Sequence, residues 1–241
     1  MEMSSRNLCI ALPTVNELNN LKILIPKLKS LFNDINILVI DDASSDGTQE
    51  YLSQLVNSDP QIKFIYRPTR LGVGSAHLLA INYVVEKNYD FLITMDADLT
   101  HSPFDALQLY ELIQNYDLVI GSRFLNKNSI IGWSKFRVFL TYGGHLLTKI
   151  FFMSNLDMSS GLRAYRVSEI PTRPLFLNLS TQYDFFFVSS LIYLNLNKNI
   201  GQVRVELQKR KSGKSKMTFK LMFSGAFKLL IYGFRVKKIK L

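Results

Sequence analysis

Asp90-Phe91-Leu92-Ile93-Thr94-Met95-Asp96-Ala97-Asp98 is a short apolar run that ends in two carboxylates separated by one small residue. Phe91 to Met95 is too short for an ordinary helix and is bounded by acids, so it reads as a central strand of a sheet. In open α/β sheets ligands bind outside the carboxyl ends of the strands, which places Asp96 and Asp98 where chemistry is expected. Alternate residues of an extended chain face the same way, about 7 Å apart at Cα, and Ala97 leaves the space between them clear. The pair suits a hard divalent cation, Mg2+ or Mn2+, held by one or two carboxylates together with water and substrate phosphates. A D-x-D taken alone is common, however, and two solvated loop acids is its more frequent meaning.

The flanking sequence bears on that choice. Leu8 to Leu12 is strand-like and is followed by Pro13-Thr14-Val15-Asn16-Glu17, then by a helical pattern of Leu18, Leu21, Ile25, Leu28 and Phe32. Ile35 to Ile40 forms a second strand ending in Asp41-Asp42, after which Ser45 or Asp46 caps a helix from about Thr48 to Val56. Gln61 to Tyr66 is a third strand, and a loop carrying Gly72 and Gly74 leads into a helix that ends near Lys87. That loop is neither a dinucleotide fingerprint nor a lysine-bearing phosphate loop. Beyond the D-x-D, Pro103 opens a helix to about Asn115, and Asp117 to Ile120 makes a fifth strand ending in Gly121-Ser122-Arg123. Strands alternating with helices predict an α/β fold with a mostly parallel central sheet and helices on both faces. Glu17, Asp41, Asp42, Asp96 and Asp98 all follow strand ends, a coincidence that independent surface acids would not produce.

Composition is consistent with one large domain. The chain has 241 residues, 47% of them hydrophobic, enough to bury a full core. Its single cysteine, Cys9, lies in the first apolar run and reads as a reduced core thiol, so no disulfide framework exists. The five apolar positions after the N-terminal residues are too few for a signal-peptide core, which predicts a cytoplasmic protein. The net charge of +10 is unevenly divided: Met1 to Arg123 carries −6 and Phe124 to Leu241 carries +16. An acidic half suits a metal site and a basic half suits phosphates.

Taken together, Pro13-Thr14-Val15-Asn16-Glu17, Val39-Ile40-Asp41-Asp42-Ala43-Ser44-Ser45-Asp46-Gly47-Thr48, Leu71-Gly72-Val73-Gly74, Met95-Asp96-Ala97-Asp98 through Pro103, and Gly121-Ser122-Arg123 follow the order seen in family 2 glycosyltransferases. The resemblance is to the dolichyl- or polyprenyl-phosphate mannosyltransferase branch. It continues through Gly132-Trp133-Ser134, Ser160-Gly161-Leu162-Arg163-Ala164-Tyr165-Arg166 and Arg210-Lys211-Ser212-Gly213-Lys214, so it spans nearly the whole chain. It implies a GT-A fold and an inverting transfer from a nucleotide sugar. By position, Pro13, Glu17, Asp41 and Asp42 would contact the nucleoside, with Asp96 and Asp98 on the metal that bridges the diphosphate. Arg123, Arg137 and Arg210 match positions that resemble phosphate binders, a role suited to the planar guanidinium fork. With Asp98 they form the expected catalytic set.

Two positions depart from the family pattern. Val15 replaces the usual aromatic of the first motif, and Val188 stands where relatives often carry a glutamate, with Asp184 nearby. An acceptor that is already a phosphate anion needs no protein base, so the second departure is compatible with activity. His101 lies near the D-x-D but reads as a loop histidine, and His77 and His145 read as structural.

The implied acceptor is a polyprenyl phosphate at a membrane surface, and the implied donor is GDP-mannose. UDP-glucose or a glycan acceptor is the enzymatic alternative. From Leu207 to Leu241 there are 11 Lys and Arg and no acid, and Met217 to Phe234 is largely apolar but interrupted by Lys220 and Lys228. Residues 1–216 are therefore expected to form the catalytic domain. Residues 217–241 are expected to form a basic amphipathic segment on the cytoplasmic face of an anionic membrane. A helix docked on the sheet is the alternative for that segment, and a separate integral membrane partner is compatible with either. A catalytically silent protein binding anionic lipid or nucleic acid is the remaining class. The strand-end acids argue against nucleic acid, whose backbone they would repel.

Overall fold

The computed structural model describes residues 7–126, 129–130, 132–133, 135–171 and 184–208. Arg210 and the segment 217–241 lie outside these residues. Seven strands form one sheet: β1 (Leu8–Thr14), β2 (Asn36–Asp42), β3 (Ile62–Arg67), β4 (Phe91–Thr94), β5 (Leu118–Ser122), β6 (Arg163–Arg166) and β7 (Ile200–Arg204), in the spatial order β3-β2-β1-β4-β6-β5-β7. The helices are α1 (Leu18–Leu31), α2 (Thr48–Ser58), α3 (Val73–Glu86), α4 (Pro103–Ile113), α5 (Lys135–Phe152) and α6 (Asp184–Asn195).

The two-residue period of β1 divides the core. Leu8, Ile10 and Leu12 pack with Leu21, Leu24, Leu28, Leu52 and Leu109 on one face, beneath α1, α2 and α4. Cys9 and Ala11 point the other way, toward Ala76, Ala80 and Val84 of α3 and Phe185 and Tyr193 of α6. Both faces of the sheet are thus covered, as the near-continuous apolar strands require. Each fully buried aliphatic side chain of β1 contributes about 1.5–3 kcal/mol. Cys9 is a core thiol, and burial pushes its pKa up to about 12.

The five strands expected from the sequence all form, within a residue or two at their ends. Two further strands complete the sheet: β7, parallel to β5, and β6, which enters between β4 and β5 and runs antiparallel to both; β6 is the one without a strand pattern. Only four residues long, with arginine at both ends, it carries no legible apolar alternation. Its arginines are accommodated by carbonyls. Arg163, fully buried, donates to the carbonyls of Ser160 (2.8 Å), Met158 (3.0 Å) and Phe186 (2.9 Å) and to Ser189 Oγ (2.8 Å). Arg166 donates to the carbonyls of Ile113, Gln114 and Tyr116 at the end of α4, groups that the helix itself leaves unpaired.

Two helix starts that flank the site share one carboxylate. Asp46 Oδ2 accepts from the backbone N–H of Leu18 at the start of α1 (3.0 Å), and Oδ1 accepts from Thr48 N–H at the start of α2 (3.2 Å) and from its hydroxyl. Gly47, at φ 88°, occupies the cap position between them, a left-handed conformation that a side chain would strain. Although burial works against it, these hydrogen bonds hold the Asp46 carboxyl below its ordinary pKa. Asp46→Ala is expected to cost about 1 kcal/mol at each helix N-terminus, to be read as a lowered urea midpoint with an unchanged m-value.

Candidate active site

The chain runs β1, β2, β3 to one side and then crosses to place β4 on the other side of β1, so the order of connection reverses at β1. A crevice at the carboxyl ends of β1 and β4 follows from that reversal. Register sets what faces it: Thr14 pairs with Asp41 across β1 and β2, and Ala11 pairs with Thr94 across β1 and β4, two residues before Asp96. The acids of β2 and of the D-x-D therefore flank one strand.

The backbone turns sharply at each of these strand ends. Asn16 (φ 52°), Ala43 (φ 51°) and Leu99 (φ 60°) all adopt the left-handed region, one in each loop that leaves β1, β2 and β4. Asparagine tolerates this conformation, whereas alanine and leucine do so at a cost of about 1–2 kcal/mol. Hydrogen bonds hold the loops against that cost. Asn16 N–H donates to Ser44 Oγ, and Ser45 N–H donates to Asn16 Oδ1, both at 2.7 Å.

Asp41 is fully buried. Its Oδ1 accepts from the Ser44 hydroxyl, and its Oδ2 has no hydrogen-bond partner among the described residues. Burial, more than it is offset by Ser44, pushes the carboxyl above its ordinary pKa. An orphaned buried carboxylate oxygen at a strand end is the mark of a ligand position. Asp42 differs. Expected on the nucleoside, it is paired with buried Arg67, whose guanidinium also donates to Ser75 Oγ (2.6 Å) and the Gly72 carbonyl. Charge in so dry a position requires a counter-charge, and the pair fixes the Gly72 loop to the end of β2. Pro13 is half-buried at the end of β1, and Glu17 is buried, accepting from the Asn20 side chain.

Asp96 is partly exposed and Asp98 is buried. Asp98 Oδ1 accepts from Thr100 N–H (3.0 Å) and its hydroxyl (2.6 Å), an Asx turn that orients the carboxylate. Asp96 Oδ1 lies beside Gly161, whose backbone is held by Thr94 Oγ1 donating to its carbonyl at 2.9 Å. The described residues contain no cluster of three His, Cys, Asp or Glu suited to a metal. Two hard carboxylates are the donor set that Mg2+ or Mn2+ takes when substrate phosphates and water complete its coordination, so Asp96 and Asp98 fit such an ion.

Arg123 follows β5, where Gly121 is needed for space: a Cβ there would come within 2.8 Å of Leu162 Cδ2. Expected on a substrate phosphate, its guanidinium is occupied by Asp157, with Nε to Oδ2 and Nη2 to Oδ1 both at 2.7 Å, and by Ser159. Asp157, fully buried, also accepts from the Arg123 N–H. Arg123 is thus fixed in place, and its charge interacts with Asp96. Arg137, in the first turn of α5, stacks on Trp133 at 3.5 Å. Val188, where an acid was sought, packs on the α3 side of the core. His101 is buried with Nδ1 3.7 Å from Asp105, and His77 is buried against Phe186, its pKa lowered by burial and by Arg163 to about 3. His145 stacks on Phe124 at 3.8 Å.

Asp157 escaped the sequence reading, although it is the lone acid between Asp117 and Glu169. An isolated acid in a basic stretch is a signal for a buried counter-charge. Arg67 and Arg163 had no such signal.

The layered sheet, the reversal at β1 and the D-x-D at its edge define a glycosyltransferase of the GT-A fold. Residues 9–170 match Glycosyl transferase family 2, and the chain belongs to that family. It is 32% identical over 208 residues to an undecaprenyl-phosphate mannosyltransferase of Micrococcus luteus, covering 86% of each chain. It is 27% identical over 229 residues to a polyprenol monophosphomannose synthase of Mycolicibacterium smegmatis, covering 94% of this chain and 86% of that one. Among solved structures, the fold is similar to glucosyl-3-phosphoglycerate synthase from Mycobacterium tuberculosis in complex with Mn2+, UDP and glucosyl-3-phosphoglycerate. The TM-score is 0.65 at 16% identity, covering 94% of this chain and 78% of that chain.

Burial opposes the charge on Asp157, but Arg123 outweighs it and holds the carboxyl below its ordinary pKa. The stabilisation is therefore present above the unfolded value, about pH 3.9, and is lost as pH falls through the lower folded value. Asp157→Asn is expected to cost about 3–5 kcal/mol at neutral pH. It should also flatten the acid limb of the stability profile below pH about 4, measured by urea unfolding across pH.

Proposed function

We propose that the protein catalyses an inverting, metal-dependent transfer of a hexose, mannose from GDP-mannose, to a polyprenyl phosphate at a membrane surface. The observation that carries this reading is the placement of strand-end acids on both sides of β1, Asp41 at the end of β2 and the D-x-D just past β4. The two relatives named for polyprenyl-phosphate mannose transfer support the choice of acceptor and sugar.

Each residue has a task in that reaction. Asp41 offers its orphaned oxygen to an N–H of the nucleoside base, and Pro13 and Glu17 complete that wall with the Asp42–Arg67 pair as its support. Asp96 and Asp98 would hold a divalent ion, which when bound neutralises charge accumulating on the departing nucleoside diphosphate. Arg123 adds a positive field that is already oriented, so no reorganisation accompanies the transition state. The acceptor's phosphate oxygen attacks the anomeric carbon as the bond from that carbon to the donor phosphate breaks, and the electron pair leaves with the diphosphate. Arg137, and Arg210 outside the described residues, are assigned to the acceptor phosphate, offsetting its repulsion with the donor. A phosphate anion needs no general base, in keeping with Val188 in the core.

Asp96→Asn and Asp98→Asn are each expected to lower transfer about 10²–10³-fold or more while leaving the unfolding midpoint nearly unchanged. Activity should require Mg2+ or Mn2+, and undiminished turnover in excess chelator would overturn the metal assignment. A panel of nucleotide sugars, including GDP-mannose and UDP-glucose, identifies the donor. With a short polyprenyl phosphate in detergent, transfer should proceed, whereas the corresponding polyprenol should not react. Arg137→Ala should raise the acceptor KM more than the donor KM. Equal transfer to the alcohol would rule the phosphate acceptor out.

A further inference from the structure

α5 carries two faces of opposite character. Its inner face meets the rim of the site: His145 stacks on Phe124, next to Arg123, and Thr148 is buried. Its outer face is apolar and bare. Phe139 is 71% exposed, Leu146 56% and Ile150 59%, and Met153, just past the helix end, is 93% exposed. Spacings of seven and four residues put Phe139, Leu146 and Ile150 in one stripe, within about 40° of arc on the helix, and Met153, at φ 51°, follows its end. Phe136 extends it at 52% exposure, and a Cβ at Gly143 would meet nothing within 4 Å. A contiguous apolar stripe on an otherwise well-packed domain marks an interaction surface.

Charge decides what covers it. From Phe124 to Met153 there is no acid, while Lys127, Lys135, Arg137 and Lys149 are all cationic. A second copy meeting this stripe through its own would set cations against cations. The segment after Leu207, with 11 Lys and Arg and no acid, would do the same. An anionic lipid surface instead accepts both features, taking apolar side chains below its headgroups and basic ones among them.

We propose that α5 is a membrane-docking helix whose outer stripe enters the headgroup region of an anionic bilayer and so sets the mouth of the active site at the level of the lipid phosphate. This rests on the polyprenyl-phosphate reading above and adds the surface through which the acceptor is reached. Arg137 lies in the first turn of the same helix and stacks on Trp133 just before it.

The test uses the full chain. Met153→Cys is labelled with a polarity-sensitive fluorophore; the native Cys9 is fully buried and does not compete for the label. Vesicles of phosphatidylglycerol and phosphatidylcholine should shift the emission to the blue, with phosphatidylcholine alone giving little change. The triple variant Phe139→Asp, Leu146→Asp, Ile150→Asp should bind the anionic vesicles about a hundredfold more weakly in flotation. It should also lose transfer to polyprenyl phosphate embedded in vesicles, yet keep wild-type transfer to a short polyprenyl phosphate in detergent, which also shows that it is folded. Flotation of the triple variant equal to wild type overturns the proposal. So does a probe already shielded before vesicles are added, since that places the C-terminal segment or a second copy on the stripe. Absence of wild-type transfer to polyprenyl phosphate in detergent would refute the functional reading instead, a result distinct from any vesicle-binding outcome.

Discussion

A buried guanidinium hydrogen-bonded to neutral acceptors organises the half of the molecule that the sequence patterns leave open. Arg163 is enclosed at the start of β6, where burial works against its charge, and neutral acceptors from the 158–160 loop and from α6 must satisfy it. Meeting those donors brings three segments that are remote in sequence to one point. The antiparallel insertion of β6, the seating of α6 on the sheet and the approach of Gly161 to Asp96 all depend on it. Its ring neighbour Phe186 and the neutral, buried His77 complete a low-dielectric surround in which each carbonyl bond to the cation is strengthened.

Charged staples of the same kind recur around the crevice. Asp42 with Arg67 ties β2 to the Gly72 loop, Asp157 holds Arg123, and Asp46 joins the starts of α1 and α2. Each joins elements that apolar packing alone would leave free to slide. The loops they brace contain Ala43 and Leu99 in the left-handed region, conformations that persist only where the surroundings over-determine them. Binding residues are thereby carried on short, strained, well-anchored turns, which limits the reorganisation required when a charged ligand arrives.

The division of charge between the two halves of the chain takes on spatial meaning in the fold. Acids from the first half stand at the ends of β2 and β4, while α5, from the second half, carries Lys135, Arg137 and Lys149 and no acid.

Much of this was legible in the residues. Apolar runs of four to seven residues ending in acids, separated by helical periodicity, determine an alternating α/β chain and deliver Asp41, Asp42, Asp96 and Asp98 to the edge of its sheet, because strand period and strand polarity are local properties. What Asp42 and Arg123 pair with was decided only by tertiary contact, since their partners lie 25 and 34 residues away in the chain. The strand at Arg163–Arg166 was illegible for the same reason: one buried and one half-buried arginine resemble a solvated loop until carbonyls from distant segments are brought around them. Local pattern thus determined the elements and the chemistry at their ends. Long-range electrostatics in a dry interior decided the pairing, since a buried charge must find its partners wherever the fold supplies them.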